Sequence, residues 1–466
     1  MLISWINMHI LDTTLREGEL FKFLGFEQKL EVLELLANAG LKRIELTLPY
    51  PPRTSKEHAR SLILKSRDLG VLCVLHARAY KEDVANALSL DADGYAFYIG
   101  FSELHRKQKL HGITKEDALN KLLECLEMVK TAGYTYTRAT LEDASRVYLE
   151  EGIEGYRSLV YAIKKLHLSG YTLISVPDTA GLLTPRLASS FFQSLKRDTN
   201  APLAAHFHND YGYASANTVE AALVGVEELH TTVMGIGDRN GIADLYEVVS
   251  ALEDVHNIPT CVKREELKSL YDRFCKITGI PLPWRHPLSN EARSIRAGVH
   301  QALSVKNAEG YIPKKKLLFD FASPLFVISP YVGSNLITWL LNGQPAKELS
   351  FVLSEIATQE GVVDKESLFR ILQKHGYKVS LEKLSLISDK KALVFLKLKQ
   401  AQLYQNIIKD ALTYDFVERV NFVKGDAELL ITLKSGSRAR GFVWDLRKKF
   451  GAQILDARVL YVDGGV

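Results

Sequence analysis

The chain has 466 residues, 47% hydrophobic and 24% charged, a composition that excludes disordered and collagen-like proteins and leaves room for about three domains. Lysine plus arginine outnumber aspartate plus glutamate by only 59 to 55, which excludes the basic stripe or block of a nucleic-acid binder. No apolar run reaches the ~18 residues of a membrane span, and the start, MLISWINMHI, lacks the basic and apolar regions of a signal peptide. The expectation is a cytoplasmic protein with neither nucleic-acid nor membrane partners. Its cysteines, Cys73, Cys125, Cys261 and Cys275, show no C-x-x-C pairing and read as reduced and structural.

Through the first 255 residues, β-branched or aromatic runs alternate with amphipathic helical stretches. The expected strands are Met8–Asp12, Leu41–Thr47, Val71–Ala77, Gly94–Gly100, Tyr134–Leu141, Tyr171–Pro177, Leu203–His208 and Leu229–Gly235. Helices are expected between them, among others Glu27–Ala39, Lys115–Thr131, Ile153–Leu168, Pro185–Leu195 and Ala214–Val224. Eight strand-then-helix units at intervals of roughly 23 to 40 residues match a (β/α)8 TIM barrel. A doubly wound sheet would need a glycine-rich phosphate loop after its first strand. The chain instead reads Asp12-Thr-Thr-Leu-Arg16-Glu17-Gly18-Glu19 there.

From Asp254 to Ser388 the pattern is helical, broken by Pro281, Pro283, Pro287, Pro313, Pro324 and Pro330 into short helices. Its one basic run, Lys314-Lys315-Lys316, reads as a solvated edge. Beyond Lys390 the expected order is strand Ala392–Lys399, helix Leu403–Leu412, strands Phe416–Val423 and Ala427–Leu433, helix Arg438–Phe450 and strand Ile454–Val462. That βαββαβ order is ferredoxin-like. The expected domains are a barrel at 1–255, a helical lid region at 256–388, and a ligand-sensing or dimerisation domain at 389–466.

Active sites of such barrels lie at the carboxyl ends of the strands. Those ends carry Asp12, Arg16, Glu17, Glu45, Thr47, His76, Arg78, Arg138, Glu142, Asp178, Thr179, His206, His208, Asp238, Arg239 and Asn240. In His206-Phe-His208-Asn-Asp210, residues two apart on a strand share a face, so both imidazoles project together. Two neutral imidazoles and a carboxylate make a divalent metal site with open positions. Glu17 is the first carboxylate to consider and Asp12 the alternative, unless Asp12 caps the loop after the first strand. Arg16 and Arg138 suit two-point recognition of a carboxylate, unless each pairs with a neighbouring acid. Arg146 reads as a loop-holding partner of such an acid. Gly235-Ile-Gly237-Asp-Arg-Asn240-Gly241 lacks dinucleotide spacing and reads as a tight loop bringing Asn240 near the metal.

Taken together, LDTTLREGE (11–19), RIELTLP (43–49), LHARA (75–79), TRATLEDASR (137–146), PDTAG (177–181), HFHNDYG (206–212), GIGDRNG (235–241) and AGVH (297–300) resemble the metal-dependent Claisen-condensing synthases of the DRE-TIM type. Within that group the REGE form and the DRNG loop look most like homocitrate synthases, and the last domain looks like the sensing module of some archaeal ones. The resemblance implies a divalent ion (Mg, Mn, Zn or Co) on Glu17, His206 and His208, with Asn240 in or near its outer shell. It also implies Arg16 beside the 2-oxo group, Arg138 on a distal carboxylate, and Thr140 and Thr179 as hydroxyl contacts. His300 matches an acid/base and Tyr311 a tyrosine near it; His76 is a further substrate contact. The implied reaction joins acetyl-CoA to 2-oxoglutarate, giving homocitrate and CoA at the start of a lysine-type route. A homodimer and lysine as an effector are implied as well. Leu20, Tyr80, Ala96 and Ala180 depart from the pattern, which keeps open another 2-oxo acid, as in isopropylmalate, citramalate or citrate synthases. A metal-dependent lyase and a catalytically quiet sensor subunit are the remaining alternatives.

Overall fold

The computed structural model describes residues 8–50, 54–134, 136–289, 292–311, 325–388, 391–399, 404–414, 417–423, 428–433 and 439–462. The Lys314–Lys316 run lies outside them. The chain divides into two compact units, 1–280 and 281–466.

The first unit is a closed parallel barrel, with eight strands in sequential order. They are β1 (His9–Asp12), β2 (Arg43–Thr47), β3 (Leu72–Arg78), β4 (Gly94–Gly100), β5 (Tyr136–Glu142), β6 (Leu173–Ser175), β7 (Leu203–Ala205) and β8 (Glu228–Thr231). Closure is made by β1 against β8, with Leu11 opposite His230. The helices between strands are amphipathic and seat one apolar face on the barrel. Lys115–Thr131, for example, buries Leu119, Leu122, Leu126 and Val129, and begins at a Thr114/Asp117 capping box. The barrel unit runs past the expected boundary at 255. Helix Arg264–Thr278 buries Leu267, Leu270, Tyr271 and Phe274, and the Tyr271 hydroxyl donates to Asp244, which ties the helix to the barrel. β6 and β7 are shorter than expected. Past Ala205 the chain pairs only by single bridges, Phe207 with Asp178 and His208 with Ile242, so His206 and His208 stand beyond the strand end.

The second unit holds two separate apolar cores. One gathers helices such as Ser334–Leu340 and Lys347–Glu360 with a parallel pair, β9 (Ser294–Ile295) and β10 (Leu325–Phe326). The other lies under an antiparallel sheet of β11 (Lys391–Leu398), β12 (Val417–Val423), β13 (Glu428–Leu433) and β14 (Ile454–Val462), in the order β12-β13-β11-β14. On β11, Val394, Leu396 and Leu398 are buried with Ile407 and Phe442 from the two helices. That is the expected ferredoxin-like arrangement. Among the described residues no helix is long and apolar enough to cross a membrane. All four cysteines are free thiols.

Candidate active site

The carboxyl ends of the barrel strands surround a cavity of about 940 Å³. Arg16, Glu17, His76, Arg138, Thr140, Thr179, His206 and His208 all line it. Asn240 does not line it. Its side chain is exposed, and its Nδ2 donates to the Asn209 carbonyl at 2.7 Å. His300 and Tyr311 belong to the second unit, where their rings stack with centroids 3.8 Å apart.

Asp12 is fully buried and does not line the cavity. Its Oδ1 accepts from the Thr14 amide at 2.9 Å, so it caps the loop after β1, and its Oδ2 has no partner. Burial pushes its carboxyl up to about 7. Glu17 faces the cavity instead: one carboxylate oxygen accepts from Arg16 at 2.6 Å and the other from the Asp238 amide at 3.2 Å.

The loop 235–241 is shaped by glycine. Gly241 has φ +77°, and a Cβ there would meet the Gly235 carbonyl oxygen at 1.8 Å. Arg239 grips both oxygens of Asp210 at 2.8 Å, and the Asn209 amide donates to the Gly241 carbonyl. The loop therefore clamps the segment that carries the two histidines.

His206 and His208 lie with ring centroids 5.1 Å apart. Burial drives both imidazoles below their ordinary range, against the Glu17 carboxylate in the case of His208, so both are neutral and competent as ligands. His208 Nδ1 is buried without a partner. This donor chemistry fits a divalent ion held with Glu17. Among the described residues, however, no three His, Cys, Asp or Glu side chains already stand close enough together to hold one. Arg16 engages the carboxylate that would complete the set.

Both arginines expected to meet carboxylates have protein partners. Arg16 Nε donates to Thr13 and Glu45. Arg138, 1% exposed, donates through one terminal nitrogen to Glu45 and through the other to Glu228 at 3.2 Å, and its Nε has no partner. Burial works against the Glu45 carboxylate, but the charges of Arg138 and Arg16 hold it well below the usual carboxylate range. Thr140 Oγ1 is buried with no partner and faces the cavity, whereas Thr179 Oγ1 accepts from the Asp143 amide. His76 stacks on Tyr98, and burial lowers it to about 3. Arg146 pairs with Asp143 and Glu150, the loop-holding role expected of it.

Sequence reasoning missed Glu228 and His230. His230 Nδ1 lies 3.3 Å from His206 Nδ1, and its Nε2 lies 3.2 Å from Glu228. Burial would raise the Glu228 carboxyl, but His230, Arg138 and Arg43 bring it down to about 2. The signal was available: Glu228-Leu-His230 has the same two-residue spacing as His206-Phe-His208.

Residues 7–273 match the HMGL-like family. The chain belongs to that family. A probable 2-isopropylmalate synthase of Methanopyrus kandleri is 33% identical over 310 residues, 66% of this chain and 60% of that one. A homocitrate synthase of Sulfurisphaera tokodaii is 32% identical over 337 residues, 71% of each chain. The chain thus spans about 60% of the length of the first of these relatives. The HMG-CoA lyase of Bacillus subtilis has the same barrel fold, with a TM-score of 0.53 at 23% identity over 59% of this chain and 95% of that one. Relatives named for two different products match almost equally well, so overall identity does not select the acceptor.

Proposed function

We propose that this HMGL-like chain is an acetyl-CoA-dependent condensing synthase acting on a 2-oxo acid. The observation that carries the reading is the pair of neutral histidines facing Glu17 and Arg16 in one cavity, with His208 Nδ1 buried and unpartnered. Glu17, His206 and His208 would hold a divalent ion (Mg, Mn, Zn or Co), whose chemistry is Lewis acidity toward the 2-oxo carbonyl. Arg16 directs a guanidinium to the same place and stabilises the oxyanion that forms when the carbonyl carbon is attacked. Thr140 and Thr179 orient the oxo acid from β5 and the loop after β6. The base that takes a proton from the acetyl methyl, and returns one to the alkoxide, is assigned on the resemblance to His300 with Tyr311. Water then cleaves the thioester, releasing CoA and a new carboxylate, which makes the condensation irreversible. A cytoplasmic homodimer, with lysine as the first effector to try on the ferredoxin-like domain, belongs to the same reading.

Two acceptors compete. 2-Oxoglutarate, giving homocitrate, rests on Arg138 in the cavity and on the homocitrate synthase relatives. A 2-oxo acid with no distal carboxylate rests on the ion pairs that already engage Arg138. The test is thiol release from acetyl-CoA with Mg or Mn and a panel of 2-oxoglutarate, pyruvate, 2-oxoisovalerate and oxaloacetate. Release with at least one acceptor is expected; none with any of them overturns the synthase reading.

A further inference from the structure

The interior of an eight-stranded α/β barrel is ordinarily packed with layers of branched apolar side chains. Here Leu11, Val74 and Ala96 form a small apolar cluster, with Leu72 and Tyr136 packed against it, and buried charged side chains lie beside it. Strand alternation on β8 sends Glu228 and His230 inward. Glu228 accepts from Arg43 at 2.7 Å, from the Tyr136 hydroxyl at 3.0 Å on each oxygen, and from Arg138 at 3.2 Å. Arg16, Arg43 and Arg138 therefore meet Glu17, Glu45 and Glu228 charge for charge.

The cavity above is balanced in the same way. Its other cations are Arg78, Lys109 and Arg239, and they pair with Asp83, Glu142 and Asp210. Every lysine and arginine that lines the cavity already has a carboxylate partner. A ligand carboxylate that reached Arg138 would have to displace one of these or sit beside it as a like charge.

We propose that Glu228 is a specificity-determining residue: a built-in counter-ion that occupies Arg138 in place of a substrate group and restricts the acceptor to 2-oxo monocarboxylic acids. The inference rests on the synthase reading for the identity of the acceptor as a 2-oxo acid. His230 acts with it as a positioning residue, holding Glu228 from above and touching His206.

The test compares 2-oxovalerate and 2-oxoglutarate, which share a five-carbon chain and differ by the distal carboxylate. Binding of each to the full-length protein with Mn is measured by titration calorimetry, for the natural chain and for Glu228→Gln. The natural chain is expected to bind 2-oxovalerate at least tenfold more tightly. Glu228→Gln keeps the side-chain shape but removes one of the two carboxylates on Arg138, leaving Glu45 in place, and should move the ratio at least tenfold toward 2-oxoglutarate. Equal or tighter binding of 2-oxoglutarate by the natural chain, binding of neither acid, or an unmoved ratio in a folded Glu228→Gln overturns the proposal. Should Glu228→Gln not fold, the natural-chain ratio decides. Thiol release is followed in parallel. Discrimination in binding without release from any acceptor sinks the synthase reading alone, and release best supported by 2-oxoglutarate sinks this inference alone.

Discussion

Glu45 is a buried charge shared by two arginines of the barrel. It is 0% exposed and accepts from Thr13, Arg16 and Arg138. Glu45→Gln removes the charge while keeping the shape, and turns an amide N–H toward at least one guanidinium. Removing one partner of a buried ion pair costs about 3–5 kcal/mol, because the other charge is left uncompensated. At about 2–4 °C per kcal/mol for a unit of this size, the melting point should fall by about 6–20 °C. The double variant Glu45→Gln/Arg138→Gln provides the control. It leaves Arg16 with Glu17 and Arg43 with Glu228, so every remaining guanidinium keeps a carboxylate. It should recover at least about 2 kcal/mol, since loss of a whole buried pair is far milder than loss of half of it. Tryptophan fluorescence is a poor probe of this change, because three of the four tryptophans, Trp284, Trp339 and Trp444, belong to the second unit. Calorimetry, with amide exchange across 43–47 and 136–142, reads the barrel itself. A loss under about 1 kcal/mol for Glu45→Gln, or a double variant no better than the single, would refute the ion-pair account.

Asp12 has a carboxyl raised to about 7 from an ordinary 3.8, so the folded barrel binds more protons than the unfolded chain between those values. Its contribution is complete below about pH 4 and is lost as pH rises toward 7, by at most about 4 kcal/mol. Asp12→Asn should remove that slope; stabilities of the two chains that run parallel between pH 4 and 8 would mean that the carboxyl is ionised throughout and would overturn the account. Gly241→Ala should cost about 3 kcal/mol or more through its left-handed backbone and the clash with the Gly235 carbonyl. Faster exchange of the Asn209 amide is the sign that the clamp has opened; unchanged exchange counts against it. Mn at about 100 times its dissociation constant should stabilise the natural chain by about 2.7 kcal/mol. A chelator should reverse this, and His206→Gln/His208→Gln should abolish it; an equal melting shift in that variant would place the ion elsewhere.

The barrel was legible because its strands and helices announce themselves by period, and the matches at Gly94–Gly100 and Lys115–Thr131 are residue for residue. Boundaries governed by tertiary contact were not. Nothing local in Arg264–Thr278 says that Tyr271 will bond Asp244, so that helix reads equally well as part of a lid. Eight of the expected site residues do meet in one cavity, because strand ends in a barrel converge whatever the loops do. Asn240 is one that does not: its loop folds back on Asn209, a bond made beside the left-handed glycine at 241. Partner choice was the least legible property. The carboxylates on Arg138 come from positions 93 and 90 residues away, and Glu228 lies one residue before the strand expected at Leu229.

The cavity meets Glu228 through Arg138 and His230, which line it, while Glu228 itself does not. Its lining carries five lysines and arginines against six aspartates and glutamates, a formal charge of −1 with the histidines neutral. An anion entering alone therefore meets no lysine or arginine without a carboxylate partner, and would have to displace that partner or sit beside it. On the proposed reading, a divalent ion held by Glu17, His206 and His208 would take that sum to +1, and a single 2-oxo carboxylate would return it to zero. A second carboxylate on the acceptor would take the lining to −1 again. Metal and one carboxylate together would, on that reading, bring the lining to neutrality. The overall excess of four positive charges on the chain says nothing of this; the balance follows from which charged side chains line the cavity.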